Sequence, residues 1–369
     1  MGDPIRILHV VVNMNRGGAE TLLMNLYRNI DRSKVQFDFL TCKAGVFDSE
    51  IEEMGGTIHR IPYVSDIGHT KYIEALDHFF VTHPNYKIVH AHMDKMSGFV
   101  LRAAKKVGAP IRIAHSHNTS SEGGVAARTY KWVAGTFIPS CATHFVACSN
   151  KAAKWLFANK VNKALILKNG IESDKFAFSP GIREQVRQEL ELPSESYVLG
   201  HVGRFAHQKN HLFLVDLFAQ LHQEKPNTVL ILVGDGPLRA EVEKKVEALH
   251  LQDKVKFLGV RSDITRLLQA FDMFVFPSLH EGLPVTLIEA QGAGLPCLVS
   301  DEITQEVDMG IQLVERISLG NKSVWIDRMN HVISRNVTRH IPEFSLSNKG
   351  YDIKNTALWT EGFYLGLSR

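Results

Sequence analysis

The sequence predicts an α/β protein built from two doubly wound domains. Three observations carry that expectation. The chain has 369 residues, enough for two ordinary domains. Short apolar runs alternate with longer helical patterns, as in stacked β-α-β units around a mostly parallel sheet. The alternation pauses at a polar stretch, residues 172–181, and then begins again. A first domain over residues 1–172 and a second over 173–349 follow, with a final aromatic-rich helix over 350–369.

In the first half, strands are predicted at 5–12, 37–41, 57–61, 88–91, 111–115, 144–148 and 164–167. Helical patterns fall between them at 19–29, 72–83 and 97–107. In the second half, strands are predicted at 197–202, 229–233, 255–257, 273–276 and 296–299, with helices at 210–223, 238–249, 264–270 and 284–292. In such sheets ligands bind beyond the carboxyl ends of the strands, so two facing domains would make a cleft there.

Composition narrows the class. The chain is 44% hydrophobic and 22% charged, as in a globular protein. Cys42, Cys141, Cys148 and Cys297 show no paired or zinc-type spacing, which points to a reduced cytoplasmic setting. No apolar run is long enough to span a membrane, and the start has neither a cleavage site nor a myristoylation pattern. Residues 1–175 carry 22 Lys+Arg against 15 Asp+Glu, and the remainder 20 against 24. Between Lys95 and Lys163 there are 11 basic residues and one acid, Glu122. That face suits an anionic membrane surface or a phosphate-bearing partner. No nucleic-acid-binding motif accompanies it, so nucleic acid is not an expected partner.

The motif that says most is Glu281-Gly-Leu-Pro-Val-Thr-Leu-Ile-Glu289, which follows a strand-like run. Pro284 sits where a helix starts, its fixed φ suiting the first helical position. A helix start attracts phosphate, and two acids around it are sited to hold sugar hydroxyls. Arg204 and Lys209 lie in the loop after the first strand of the second domain, where they can neutralise a departing diphosphate. Gly17 and Gly18 open a helix after the first strand and leave room for a phosphate or sugar. No Gly-x-Gly-x-x-Gly follows that strand, and no Walker Gly-Lys-Thr occurs. Leu258 and Gly259 end a strand where the backbone can read a nucleobase edge, while the side chains can equally belong to the core. His115-Ser-His117 and His90-Ala-His92 end two strands. Each pair is expected to point to opposite faces, one member toward the cleft, and no carboxylate or cysteine at ligand spacing suggests a metal. Lys168-Asn169-Gly170 looks like an ordinary turn.

Taken in order, these residues resemble the large retaining glycosyltransferase family with the GT-B fold, commonly called family 4. Its fold would be two Rossmann-like domains facing across a cleft. The resemblance covers nearly the whole chain. It rests on Gly17-Gly18, His117, Asn169-Gly170, Arg204 with Lys209, and Glu281 with Glu289. Asn13-Met-Asn-Arg-Gly-Gly-Ala-Glu-Thr and His115-Ser-His-Asn-Thr look most like the exopolysaccharide and capsule enzymes of bacilli. The resemblance implies that Arg204 and Lys209 hold the donor diphosphate and Glu289 the ribose. It implies that Glu281, with the Gly282, Leu283, Pro284 and Val285 backbone, holds the sugar. Gly17 and Gly18 would approach the sugar or phosphates, and His117 the sugar O6 and anomeric carbon. The final helix would cross back onto the first domain, which would bind the acceptor. Three departures stand out: Glu172 in place of Asp, Asn210 in place of Gly, and Leu283-Pro284 in place of Phe-Gly.

The implied reaction moves a sugar from a UDP-sugar to a polyprenyl-diphosphate-linked or oligosaccharide acceptor, with retention and with neither metal nor cofactor. The basic segment 95–163, which also carries Trp132, Phe137, Trp155 and Phe157, would touch the inner face of the plasma membrane. Two other readings share these features. A nucleotide-sugar 2-epimerase would need acid/base carboxylates in the first domain, and none is evident. A non-catalytic nucleotide-sugar-binding subunit would be marked by loss of Glu281 or the Arg204/Lys209 pair, and all three are present.

Overall fold

A computed structural model describes residues 3–335, 339, 341 and 349–368. Residues 1, 2, 342–348 and 369, at the ends of the expected spans, lie outside the described residues. The chain forms two compact units, residues 1–170 with 350–369, and residues 171–349.

The first unit is a seven-stranded sheet. Its strands are β1 (Ile5–Val10), β2 (Val35–Thr41), β3 (Ile58–Arg60), β4 (Ile88–Ala91), β5 (Ile111–Ser116), β6 (His144–Ala147) and β7 (Ala164–Ile166). Their order across the sheet is β3-β2-β1-β4-β5-β6-β7, every pair parallel. The chain thus builds outward from β1 in one direction, then returns to start β4 on its other side. Loops leaving β1 and β4 diverge there, opening the crevice where such sheets bind ligands. β2 is buried along its whole length, as expected of a parallel strand covered on both faces. The core under this sheet includes Ile7, Leu22, Phe37 and Phe39. Ile353, Ala357 and Tyr364 of the final helix, Ile353–Leu367, complete it.

The second unit repeats the plan with six strands: β8 (Tyr197–Val202), β9 (Thr228–Val233), β10 (Val255–Phe257), β11 (Met273–Phe276), β12 (Cys297–Ser300) and β13 (Val314–Ile317). Their order is β10-β9-β8-β11-β12-β13, again all parallel, so the switch point lies between β8 and β11. Its core gathers Leu199, Phe218, Leu230, Val275 and Trp325. β13 and the helix Pro180–Glu189 were not among the predicted elements. β13 reads Val-Glu-Arg-Ile and is only partly buried. The helix is polar, burying Val186 and Arg187, and its local signals are the Ser179 cap and Pro180 in the first turn.

Candidate active site

In the second unit the predicted residues gather at the switch point. The loop after β8 runs through Gly203 and Arg204 to a single 3₁₀ turn, His207–Lys209, and then to the helix His211–Glu224. The loop after β11 runs through 277–284 to the helix Val285–Gly292. Backbone and side-chain bonds tie the loops together. The Leu279 N–H donates to the Gln208 carbonyl at 2.8 Å, Gln208 Nε2 to the His280 carbonyl at 2.8 Å, and Asn210 Nδ2 to the Pro277 carbonyl at 3.2 Å. That bracing sets Lys209 Nζ 2.7 Å from Glu281 Oε1 and 4.6 Å from the centre of the Phe276 ring. Glu281 is buried at 7% exposure and Lys209 is half-buried, so the pair is shielded from water. Sequence reasoning gave these residues separate ligands; the structure joins them in one ion pair.

Asn210 has φ 56° and ψ 43°, the left-handed conformation that Gly and Asn tolerate best. This accounts physically for one departure from the family pattern. Pro284 caps the helix from one position outside the expected first turn. It has no N–H, so the helix's own backbone donors at that end begin with Val285. Glu289 lies at the fifth position of the helix, half-buried, with no ion-pair partner among the described residues. Burial pushes its carboxyl up to about 7. Arg204 is exposed on the β8 loop.

Glycines keep the neighbouring strand ends in close contact. The Gly234 N–H donates to the Gly259 carbonyl at 2.8 Å, and a Cβ on Gly234 would lie 2.2 Å from the Gly203 carbonyl oxygen. Gly259 itself sits at φ 64°. Leu258, half-buried beside it, donates its N–H to the Leu232 carbonyl. Both predicted base-reading positions therefore stand at the β9–β10 end of the same surface.

In the first unit, Gly17 caps and Gly18 begins the helix Gly18–Asn29. A Cβ on Gly18 would meet nothing within 4 Å, whereas one on Gly17 would lie 2.2 Å from Glu20 Oε2. Two carboxylates sit here that the sequence reading did not single out. Glu20 and Asp94 are enclosed, and desolvation pushes them up to about 7 and about 6. Asp94 adopts φ 48° and its Oδ1 accepts the His117 backbone N–H at 3.0 Å. The expectation that the first domain lacks placed carboxylates is therefore corrected. Glu20, three residues after Gly17 in the first helical turn, was the available signal. Asn169 is buried at the end of the unit, beside Gly170, whose missing Cβ makes room for Ile353 and Thr356.

The histidine pairs also differ from expectation. Residues two apart on a strand share a face, because the side-chain period is two. His90 and His92 accordingly stack at 4.2 Å between ring centres, and His115 and His117 lie tilted against each other at 3.9 Å. Direct pairing of His9 with His90 across β1 and β4 extends the row. His9 Nδ1 lies 2.9 Å from His92 Nε2, and His92 Nδ1 lies 2.8 Å from His117 Nε2. His90 Nδ1 lies 2.7 Å from the Tyr364 hydroxyl. Burial pushes His9 and His117 down to about 3 and the other three well below the ordinary imidazole value, so all five rings are neutral.

Both halves match known families. Residues 17–170 match the glycosyl transferase 4-like domain, and residues 182–317 match the glycosyl transferases group 1. Putative glycosyltransferase EpsF of Bacillus subtilis is 38% identical over 94% of this chain and 93% of its own length. The chain belongs to the group 1 glycosyltransferases, family 4 of the GT-B fold. Within this family, the glycosyltransferase is 32% identical to an Escherichia coli relative over 58% of either chain. That relative is named UDP-Gal:alpha-D-GlcNAc-diphosphoundecaprenol alpha-1,3-galactosyltransferase. In fold it is similar to Anabaena HepE, solved with UDP and glucose, at a TM-score of 0.82 and 21% identity over 98% of this chain and 99% of that one. It is also 27% identical, over 98% of this chain and 99% of the other, to a Staphylococcus aureus relative named capsular polysaccharide biosynthesis glycosyltransferase CapH.

Proposed function

We propose that this glycosyltransferase moves a hexose from a UDP-sugar to a lipid-linked or saccharide acceptor, with retention at the anomeric carbon and without a metal. One observation carries the reading: Lys209 is held 2.7 Å from Glu281 at the switch point of the second unit, beside the start of the helix Val285–Gly292. In this reading the diphosphate takes over the Lys209 ammonium, aided by Arg204 and the helix start. Glu281, relieved of its lysine, accepts hydrogen bonds from the sugar hydroxyls, together with the backbone of Gly282 to Val285. Glu289 accepts from the ribose, and Leu258 and Gly259 present backbone to the base. Asn169 belongs to the donor-binding set. The first unit binds the acceptor. Its Gly17 and Gly18 approach the donor, and its His117 acts on the sugar, held by the Asp94 carboxyl beneath it.

Charge grows on the leaving phosphate as the glycosidic bond breaks. Fixed cations and helix N–H groups stabilise it, each well-placed donor contributing roughly 3–4 kcal/mol. Retention follows if the acceptor attacks from the face the diphosphate leaves, with a phosphate oxygen taking its proton. The names of the Escherichia coli and Anabaena relatives support a UDP-sugar donor and a diphospho-lipid acceptor.

A groove in the first unit supports a peripheral place on the inner membrane face. Lys95, Arg128, Trp132 and Trp155 line it, with Lys95 Nζ 5.2 Å from the Trp155 ring centre. On the adjoining helix, Val125–Gly135, Val125, Trp132 and Val133 are exposed at 83%, 61% and 42%. Among the described residues no helix is long and apolar enough to cross a membrane. Basic residues interleaved with interfacial aromatics fit an anionic lipid surface.

The test is UDP release from a panel of UDP-sugars, with and without undecaprenyl-diphosphate-linked saccharides, with chelator present throughout. Acceptor-dependent release with an unchanged anomeric configuration is expected. UDP-sugar binding without release under any acceptor would instead identify a non-catalytic binding subunit. Failure to float with anionic liposomes at low salt would overturn the membrane placement alone.

A further inference from the structure

We infer that His9 and His92 are positioning residues for His117. The three rings form one hydrogen-bonded row that holds His117 in a single neutral tautomer. Its Nδ1 is then left as an acceptor for a hydroxyl of the donor sugar. The inference rests on the reading that His117 acts on that sugar. Sheet register builds the row. His9 on β1 stands directly opposite His90 on β4, and His90 opposite Ile113 on β5. Residues two apart share a face, which brings His92 and then His115 and His117 into line. Each bond runs to a ring two residues beyond the directly paired position. The row therefore climbs toward the carboxyl ends of the strands, where such sheets bind ligands.

The two links have the same form. His9 Nδ1 lies 2.9 Å from His92 Nε2, and His92 Nδ1 lies 2.8 Å from His117 Nε2. The ring centres are 5.2 and 5.1 Å apart, with tilts of 33° and 30°. His9 and His92 are both buried, which keeps them neutral. A neutral imidazole has one donor nitrogen and one acceptor nitrogen. Only two arrangements of protons therefore keep both bonds. Either all three rings carry the proton on Nδ1, or all three carry it on Nε2. The bond made by one nitrogen sets the state of the other, so no ring changes alone.

The row takes the Nε2 arrangement. A free neutral histidine side chain already favours the proton on Nε2, and the row makes three rings share that bias. At the buried end, His9 Nε2 has no hydrogen-bond partner among the described residues. The Phe37 ring packs edge to face with His9 at 4.2 Å between centres, and an aromatic face is a weak acceptor for an N–H. At the open end His117, half-buried, keeps Nδ1 outside the row. That nitrogen carries a lone pair and no proton. Asp94 holds the same residue by its backbone, Oδ1 accepting the His117 N–H. Backbone and ring are thus both fixed before a sugar arrives, as a preorganised contact requires. Burial also pushes His117 down to about 3, which makes it a poor base. It orients the sugar and leaves the acceptor's proton to the phosphate oxygen.

The test uses the full-length protein with isotope-labelled histidine rings and a long-range proton–nitrogen NMR spectrum, recorded without substrate. His117→Gln assigns the His117 signals. A protonated Nε2 and an unprotonated Nδ1 are expected there, with no averaging between tautomers. His92→Leu should move both nitrogens toward averaged values, and His9→Leu should do so by less. Thermal melts and unchanged UDP affinity show that each variant is folded. Turnover of UDP-sugar should fall by up to about 100-fold in His92→Leu, the cost of a misplaced contact. His92→Asn, whose Oδ1 can accept the same N–H, should recover most of it. A His117 averaged between tautomers, or fixed with its proton on Nδ1, would overturn the inference. Unmoved His117 signals in His92→Leu would overturn it equally. Full turnover in His117→Gln would refute the sugar role on which the inference rests, a failure that the spectrum keeps distinct.

Discussion

The Lys209–Glu281 pair permits a test that separates architecture from chemistry. Lys209→Met removes the ammonium while keeping most of the stem. The two side chains are 15% and 9% exposed, so Glu281 loses its lysine in a poorly solvated place. Breaking such a buried pair costs about 3 kcal/mol at the lower end of the usual range. For a unit of this size that lowers Tm by roughly 6–12 °C, at 2–4 °C per kcal/mol. Loss of one fixed donor to the leaving phosphate lowers kcat by about 100- to 1,000-fold. Both losses occur together in the single variant, so it cannot distinguish them. The double variant Lys209→Met/Glu281→Gln can. Neutralising the acid should restore most of the stability while leaving turnover at or below the single-variant level. The assays are thermal unfolding and UDP release under saturating donor. If turnover in Lys209→Met stays within about threefold of the unsubstituted protein, the diphosphate role is wrong. If the double variant recovers turnover along with Tm, the lysine serves only the fold.

Glu289 gives a pH signature. Its folded value of about 7 lies above the ordinary 4.5, so the native state loses stability as pH rises from 4.5 to 7. Glu289→Gln should therefore raise Tm at pH 8, leave it unchanged at pH 4, and weaken UDP binding; equal Tm at both pH values would refute the burial argument. In the unsubstituted protein, UDP affinity should fall as pH drops through 7, because the ionised carboxylate accepts the ribose hydrogen bonds; isothermal titration at pH 6 and pH 8 reads this directly. Gly17→Ala should displace the Glu20 carboxyl at a cost of about 1–2 kcal/mol, while Gly18→Ala, facing open space, should leave Tm alone. Loss of UDP-sugar turnover in Gly18→Ala would then report on substrate contact, and retained turnover would remove Gly18 from the donor site. At left-handed Asn210, Gly should be accepted within about 0.5–1 kcal/mol, whereas Val should cost about 2 kcal/mol or more; melts in which Val equals Gly would contradict the assigned backbone.

Most strands were legible because a parallel strand covered on both faces is a bare apolar run. β9, Thr-Val-Leu-Ile-Leu-Val, is buried throughout and could hardly be misread. β13 escaped because its central Glu315 and Arg316 interrupt such a run. The acids and bases of the second unit were legible one at a time, each from its place at a strand end or helix start. Their pairing was not, since Lys209 and Glu281 are 72 residues apart. Only the strand order, which sets β8 directly beside β11, brings their loops together. The histidine row needed the same cross-strand information, plus a correct use of the strand period. Glu20 and Asp94 were hidden for another reason: sequence shows a carboxylate but not its burial.

The final helix has a consequence for how the protein is made. Ile353, Ala357 and Tyr364 fill the core of a unit whose other residues end at 170. Residues 171–349, by contrast, contain all of the second unit. Synthesis at 5–20 residues per second puts about 10–40 s between the two ends of the first unit. During that interval the surface that receives Ile353 and Tyr364 stays open on the ribosome. Nascent chains arrested before residue 350 should thus be cut by protease within the first 170 residues, and the released full-length chain should resist. The half of the molecule that is translated first is the half that finishes folding last.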